Sequence, residues 1–263
     1  MTIFAFELGS YQKIAEMEYR VLSKGEFEDI ASRILYEDNH LLVFNKRAGE
    51  IVQGDKTGDE PLSETLKAFI AQRDSKPGRV FMGVPHRLDR PVSGIAVFAK
   101  TSKALERLND AFRCGDVHKF YWALCVARPE PAEGELVHWL VRNEKQNKSY
   151  AYTDEASARK AAGRSGITDA VRDARLRYRV LEDTQRYHLV EVELLTGRHH
   201  QIRCQLSAIG CPIKGDLKYG APRSNPDGGI CLHARIIRLI HPVRKDELYV
   251  TAPVDWSPII CCK

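Results

Sequence analysis

The chain has 263 residues, 43% of them hydrophobic and 29% charged, with 40 Lys and Arg against 35 Asp and Glu for a net charge of +5. That length supports one large domain or two small ones with a real core, and the apolar content excludes low-complexity disorder. The clean apolar runs, such as 95–99 (IAVFA), fall far short of the ~18–20 residues that a bilayer helix needs, which excludes a membrane span.

The N-terminus, MTIFAFE, has no Lys or Arg ahead of its short apolar run and so lacks both parts of a secretory signal. A cytoplasmic protein is expected. Residues 1–35 read as a short helical appendage with little apolar content, and residues 1–40 carry a net charge of −4. The main unit is then 36–263. Along it, strands are predicted at 41–45 (LLVFN), 94–99 (GIAVFA), 119–127 (KFYWALCVA), 175–182 (RLRYRVLE) and 187–195 (YHLVEVELL). Helical spacing occurs at 62–72, at 102–113 through Leu105, Leu108 and Phe112, and at 198–209 through Ile202, Leu206 and Ile209. The last two strands are separated by Asp183-Thr184-Gln185-Arg186, a connection of hairpin size, so they should pair antiparallel. Segment 154–172 lacks periodic hydrophobics and reads as a mobile connection. Strands outnumber helices without alternating with them, which predicts an α+β fold with a mixed, mainly antiparallel sheet.

Seven cysteines, an odd number with no Cys-x-x-Cys pair, fit free thiols in a reducing compartment, and no chemistry attaches to Cys261-Cys262. The charge is unevenly spread. Over 159–179, seven Lys and Arg face only Asp169 and Asp173, so the chain's whole excess of +5 lies there. Such a run is either a solvated basic loop or a surface that tracks phosphates.

Two segments concentrate chemistry. In Pro85-His86-Arg87-Leu88-Asp89-Arg90-Pro91, one acid stands among cations that favour its carboxylate form, as a nucleophile or base requires; a salt-bridged surface turn is the plain alternative. In Thr196-Gly197-Arg198-His199-His200-Gln201-Ile202-Arg203, Thr196 is a candidate N-cap that would leave Arg198 and His199 at an anion-friendly helix start. Arg203 lies further in, between apolar Ile202 and Leu206, where a cation is costly without a carboxylate partner. The pair His199-His200 is not read as a metal site, because neighbours on a helix point about 100 degrees apart. On the strand from Lys119, one face carries Tyr121, a candidate for stacking on a base.

These segments together resemble the RluA family of RNA pseudouridine synthases. The family's His-Arg-Leu-Asp signature with its following strand appears as HRLDRPVSGIAVFAKT (86–101), its Lys-x-Tyr element as Lys119-Phe120-Tyr121, and its late motif as TGRHHQIRCQLSAIGCPIKGDLKYG (196–220). LHARIIRLIHP (232–242) and LLVFNKRAGEIVQGD (41–55) complete a match in order over roughly 36–256. Arg47 replaces the usual proline and Val92 the usual threonine, which puts loop shape in doubt rather than activity.

The resemblance implies the pseudouridine synthase fold, with helices flanking the sheet and a central active-site cleft. It implies a cofactor-free isomerisation of uridine to pseudouridine in ribosomal or transfer RNA, in a catalytic domain spanning 36–263. Asp89 is then the catalytic carboxylate, Arg203 its partner and Tyr121 the ring beneath the uracil. Leu232 would wall the base pocket, and His86, Arg87, Arg90, Lys119, Arg198 and His199 would contact the substrate. The basic run would be a more distal phosphate contact. The small basic RNA-binding domain carried by many relatives has no counterpart in residues 1–35, no obligatory protein partner is implied, and a monomer is expected. Two rivals are a glycosidase-like hydrolase, which normally needs two carboxylates, and a catalytically silent RNA-binding module, which has no need of an arginine-paired acid.

Overall fold

The computed structural model describes residues 19–55, 57–76, 78–164, 171–254 and 256; Cys261 and Cys262 lie outside them. In chain order the elements are α1 (Lys24–Ser32), β1 (Ile34–Glu37), β2 (Leu41–Lys46), α2 (Leu62–Arg73), β3 (Ser93–Ala99), α3 (Ser102–Cys114), β4 (His118–Cys125), β5 (Glu133–Asn143), β6 (Lys148–Tyr152), α4 (Glu155–Arg164), β7 (Val171–Asp183), β8 (His188–Leu194), α5 (Gln201–Ala208), a 3-10 turn (Leu217–Tyr219), β9 (Leu232–Ile240) and β10 (Glu247–Thr251). The strands form one sheet in the order β1-β2-β3-β9-β4-β8-β7-β5-β6, with β10 also paired to β9. Among the described strands only β3 and β9 run parallel, through Ser93↔His233 and Gly94↔Ala234. The architecture is therefore α+β with a mixed, mainly antiparallel sheet.

That parallel junction explains a glycine. Gly94 sits at φ +108°, and a Cβ there would lie 2.4 Å from the Ala234 carbonyl oxygen. Only glycine allows the two backbones to meet so closely. Beside it, the Ser93 hydroxyl lies 2.8 Å from Nδ1 of His233, which burial holds neutral with its pKa lowered to about 4. The Ser-Gly of one motif and the Leu-His-Ala of another are thus two halves of one contact.

The 154–172 connection is overturned over its first part. Asp154 accepts the Ser157 N–H at the start of α4, and Ala158 and Ala162 are buried against Val141. Small residues one turn apart let a helix lie close on a sheet, so a weakly apolar sequence still packs; residues 165–170 lie outside the described residues. The described part of the expected N-terminal appendage joins the main core through Leu22 and Ile30. Helix α1 there is held by a capping box between Ser23 and Glu26. Arg47 pairs with Asp29 of α1 at 2.6 Å, which ties that helix to the loop after β2.

The register of β7 pairs part of the basic run with acids. Arg177 faces Glu193 on β8 and Glu135 on β5, and Arg179 faces Glu191 and Glu133. The guanidinium of Arg177 reaches Glu135 at 3.3 Å and that of Arg179 reaches Glu191 at 3.0 Å. Arg159 pairs with Glu155 one turn back. The glutamates that meet Arg177 and Arg179 come from β5 and β8 and are invisible in a local charge count.

Candidate active site

Asp89 lies on the loop leading into β3, where its carbonyl accepts the Val92 N–H in a tight turn. The loop is fixed from beneath by Lys46, which is 1% exposed and donates from Nζ to the carbonyls of Arg47, Arg90 and Val92 at 2.9, 3.1 and 2.6 Å. Burial pushes the Lys46 pKa down to about 8, against the opposing charges of Glu50 and Asp89. The strand-plus-lysine motif contains Lys46, but nothing in the local sequence marks it as a support for the loop of Asp89.

Arg203, from α5, meets Asp89 as expected, with Nη1 3.1 Å from Oδ2. Its remaining nitrogens reach Asp216, Nε at 2.6 Å and Nη2 at 2.9 Å. Burial alone would lower the arginine's pKa; the hydrogen bond and charge of Asp216, with those of Asp89, outweigh it and raise it. Sequence reasoning misses Asp216, because one carboxylate, Asp89, already satisfies the demand of a buried arginine. A planar guanidinium with five N–H groups can hold two carboxylates, one by each edge.

The helix begins later than expected. Gln201 is its first residue and His200, at φ +53°, precedes it in the left-handed region. Thr196 does not cap it: its hydroxyl accepts the Arg175 N–H and donates to the Gln201 side-chain carbonyl, which also accepts the Arg198 N–H. The anion-friendly helix start therefore does not form. Leaving helical geometry also lets the His199 and His200 rings stack at 3.8 Å rather than diverge. Their nitrogens face protein groups: Ser149 Oγ and Asn147 Oδ1 for His199, Tyr219 Oη and Asp89 Oδ2 for His200. Burial first, then nearby cations, lowers the pKa of His199 to about 4 and that of His200 to about 2.

Tyr121 is buried on β4, and burial followed by the Asp89 charge pushes its pKa up, so it stays a phenol. Leu232 is buried on β9 opposite Ala123 of β4. Lys119 lies near Gly197 and over the Phe112 ring at 5.7 Å, with its pKa lowered by burial. Other expected ligands are engaged elsewhere. His86 accepts the Val97 N–H at Nε2 and stacks on Phe112 at 4.7 Å; burial, with Lys119 second, brings its pKa to about 3. Arg198 turns to β7, bonding the carbonyl and carboxylate of Asp173. Arg90 is clipped to Asp59 at 2.6 Å and to the Thr57 hydroxyl at 2.6 Å. Arg87 is exposed.

A cationic cluster stands beside the site where the sequence pointed elsewhere. Arg142 and Lys218 are exposed and act on both stacked histidines, and Lys148 lies 5.2 Å over the Tyr219 ring. These residues come from β5, β6 and the 3-10 turn, so no sequence run announces them.

An open, mixed sheet thus carries, on the loop before β3, a single arginine-held carboxylate, with a buried tyrosine on β4 that feels its charge. The structure of human RNA pseudouridylate synthase domain containing 4 has this fold, at a TM-score of 0.69 and 24% identity, covering 89% of this chain and 92% of its own. The RNA pseudouridylate synthase family matches residues 40–208, and this chain belongs to that family. Among curated relatives, the mitochondrial pseudouridylate synthase RPUSD4 of Xenopus tropicalis is 33% identical over 211 residues, 76% of this chain and 65% of that protein. Ribosomal large subunit pseudouridine synthase D of Xylella fastidiosa is 31% identical over 244 residues, 86% of this chain and 67% of that protein. The chain thus spans about two thirds of the length of these relatives.

Proposed function

We propose that this protein converts uridine to pseudouridine in RNA, with Asp89 as the catalytic carboxylate. The observation that carries the reading is the holding of Asp89: a single acid, gripped by a buried arginine whose other edge is occupied by Asp216, beside a tyrosine kept as a phenol. The N1–C1′ bond of the uridine breaks, the uracil turns, and C5 bonds to C1′ while losing its proton and N1 gains one. Asp89 attacks C1′ or removes the 2′ proton. Tyr121 stacks under the uracil, Leu232 walls it, and Lys119 stands at the rim with Arg87.

A hydrolase would need a second carboxylate as general acid. Asp216 is 1% exposed and accepts two bonds from Arg203, so it cannot face a leaving group.

The relatives named for the large ribosomal subunit favour ribosomal over transfer RNA as the substrate. A uridine in such RNA must be unstacked at a cost of a few kcal/mol, which backbone contacts offset. Arg142, Lys148 and Lys218 meet the flanking phosphates, in place of the basic run. The reading places the protein in the cytoplasm, acting as a monomer with no obligatory protein partner. The test is to map pseudouridines in RNA from cells with and without the gene, and from cells carrying Asp89→Asn. A site lost in both the deletion and the variant, with RNA binding kept by the variant, is expected; retained turnover by Asp89→Asn refutes the mechanism.

A further inference from the structure

The carboxylate of Asp89 is held asymmetrically. Arg203 Nη1 lies 3.1 Å from Oδ2, and His200 Nε2 lies 3.4 Å from the same oxygen. Neither contact falls on Oδ1.

The proton of the His200 ring can be placed from its other neighbour. Tyr219 Oη is 2.8 Å from the Ser149 backbone nitrogen, whose N–H it accepts, and 3.0 Å from His200 Nδ1. A phenol oxygen that already accepts an N–H uses its own proton for the remaining partner, so Tyr219 donates to Nδ1. The neutral imidazole then carries its hydrogen on Nε2, the nitrogen that lies 3.4 Å from Asp89 Oδ2. The ring is fixed in place by its stacking on His199 and by the left-handed backbone at His200, a conformation that a non-glycine residue keeps only when its surroundings impose it.

We propose that His200 is a positioning residue, set by Tyr219, that holds Asp89 through Oδ2 and leaves Oδ1 as the oxygen that meets the ribose. This rests on Asp89 carrying the reaction. A neutral donor suits this role, because it directs the carboxylate without adding a second positive charge that would blunt its basicity. The distance of 3.4 Å is long for a hydrogen bond, as such contacts often are before substrate closes the site.

The test uses the full chain and a large-subunit ribosomal RNA transcript made with 5-tritiated uridine, since loss of the C5 proton releases tritium. His200→Leu is expected to lower kcat on the order of 10–100-fold, the scale of a misplaced reacting group, with the Kd for the transcript unchanged. His200→Gln, whose amide can present an N–H near the Nε2 position, should recover part of that loss. Tyr219→Phe should lower kcat as well, and adding it to His200→Leu should cost nothing more, because it acts through the same ring. A purely structural role would give additive losses and no rescue by Gln, and either outcome overturns the proposal. Full activity of both His200→Gln and Tyr219→Phe, together with full activity of His200→Leu or its failure to fold, also overturns it. If the wild-type chain releases no tritium from any ribosomal transcript while Asp89→Asn binds RNA equally, the proposed function itself has failed, which a normal wild-type rate distinguishes.

Discussion

Replacing Asp216 by Asn tests how the centre is held together. The variant keeps the shape of the side chain but removes the charge that takes two of the three bonds Arg203 makes to carboxylates, in a pair whose side chains are 6% and 1% exposed. Breaking a buried pair by removing one partner costs about 3–5 kcal/mol, because the surviving ion stays buried without its compensation. Asp89 still faces the guanidinium, so the low end, about 3 kcal/mol, is expected. At ~2–4 °C per kcal/mol for a domain of this size, Tm should fall by ~6–12 °C. Activity should fall with it, since a guanidinium released on one edge no longer fixes Asp89. Urea titration followed by circular dichroism gives the free energy, and tritium release from labelled RNA gives the rate. The double variant Arg203→Met with Asp216→Leu removes both charges and should recover stability to within ~1–2 kcal/mol of wild type while staying inactive. A single Asp216→Asn variant that melts within ~2 °C of wild type would refute the claim that this pair carries a buried charge balance.

At Gly94, an Ala substitution must place its Cβ against the Ala234 backbone at a positive φ. Backbone strain of 1–3 kcal/mol plus a similar overpacking cost gives a loss of roughly 2–6 kcal/mol, read by urea unfolding. Stability should also fall with acid. The pKa values of His86, His199, His200 and His233 lie at about 3, 4, 2 and 4, below the ordinary 6.5, so between pH 6.5 and about 4 the unfolded chain takes up protons that the folded one refuses. Each such histidine removes about 1.4 kcal/mol per pH unit at full effect, and an unfolding free energy that is flat from pH 7 to pH 5 would contradict this. In RNA binding, Ala at Arg142, Lys148 or Lys218 should each reduce the slope of log K against log salt by about 0.7–0.9. Neutralising Arg177 and Arg179 should leave the slope unchanged, because glutamates already occupy them; filter binding across a salt series separates the two sets.

By itself the sequence determined the α+β class, most of the strands flanking the site, the β7–β8 hairpin and the need of Arg203 for a carboxylate; that the carboxylate is Asp89 comes from the family resemblance and is met in the structure. The rest follow from local pattern or from one strong constraint: period-two alternation marks a strand, and an arginine between apolar neighbours needs an acid. Strands β1, β5, β6, β9 and β10 and helix α4 are not read from the sequence; in β5, β6 and α4 mixed charge and small residues give no clear period until a partner element covers one face. The tertiary structure alone decided where the charges act. Arg177 and Arg179 look free along the chain and meet glutamates brought from β5 and β8, whereas Arg142, Lys148 and Lys218 are scattered in sequence and converge beside the stacked histidines. It also supplied Asp216, Lys46 and the His200–Tyr219 contact around Asp89. A carboxylate's surroundings are set by through-space distance, and residues 46, 89, 200, 203, 216 and 219 become neighbours only once the sheet has folded.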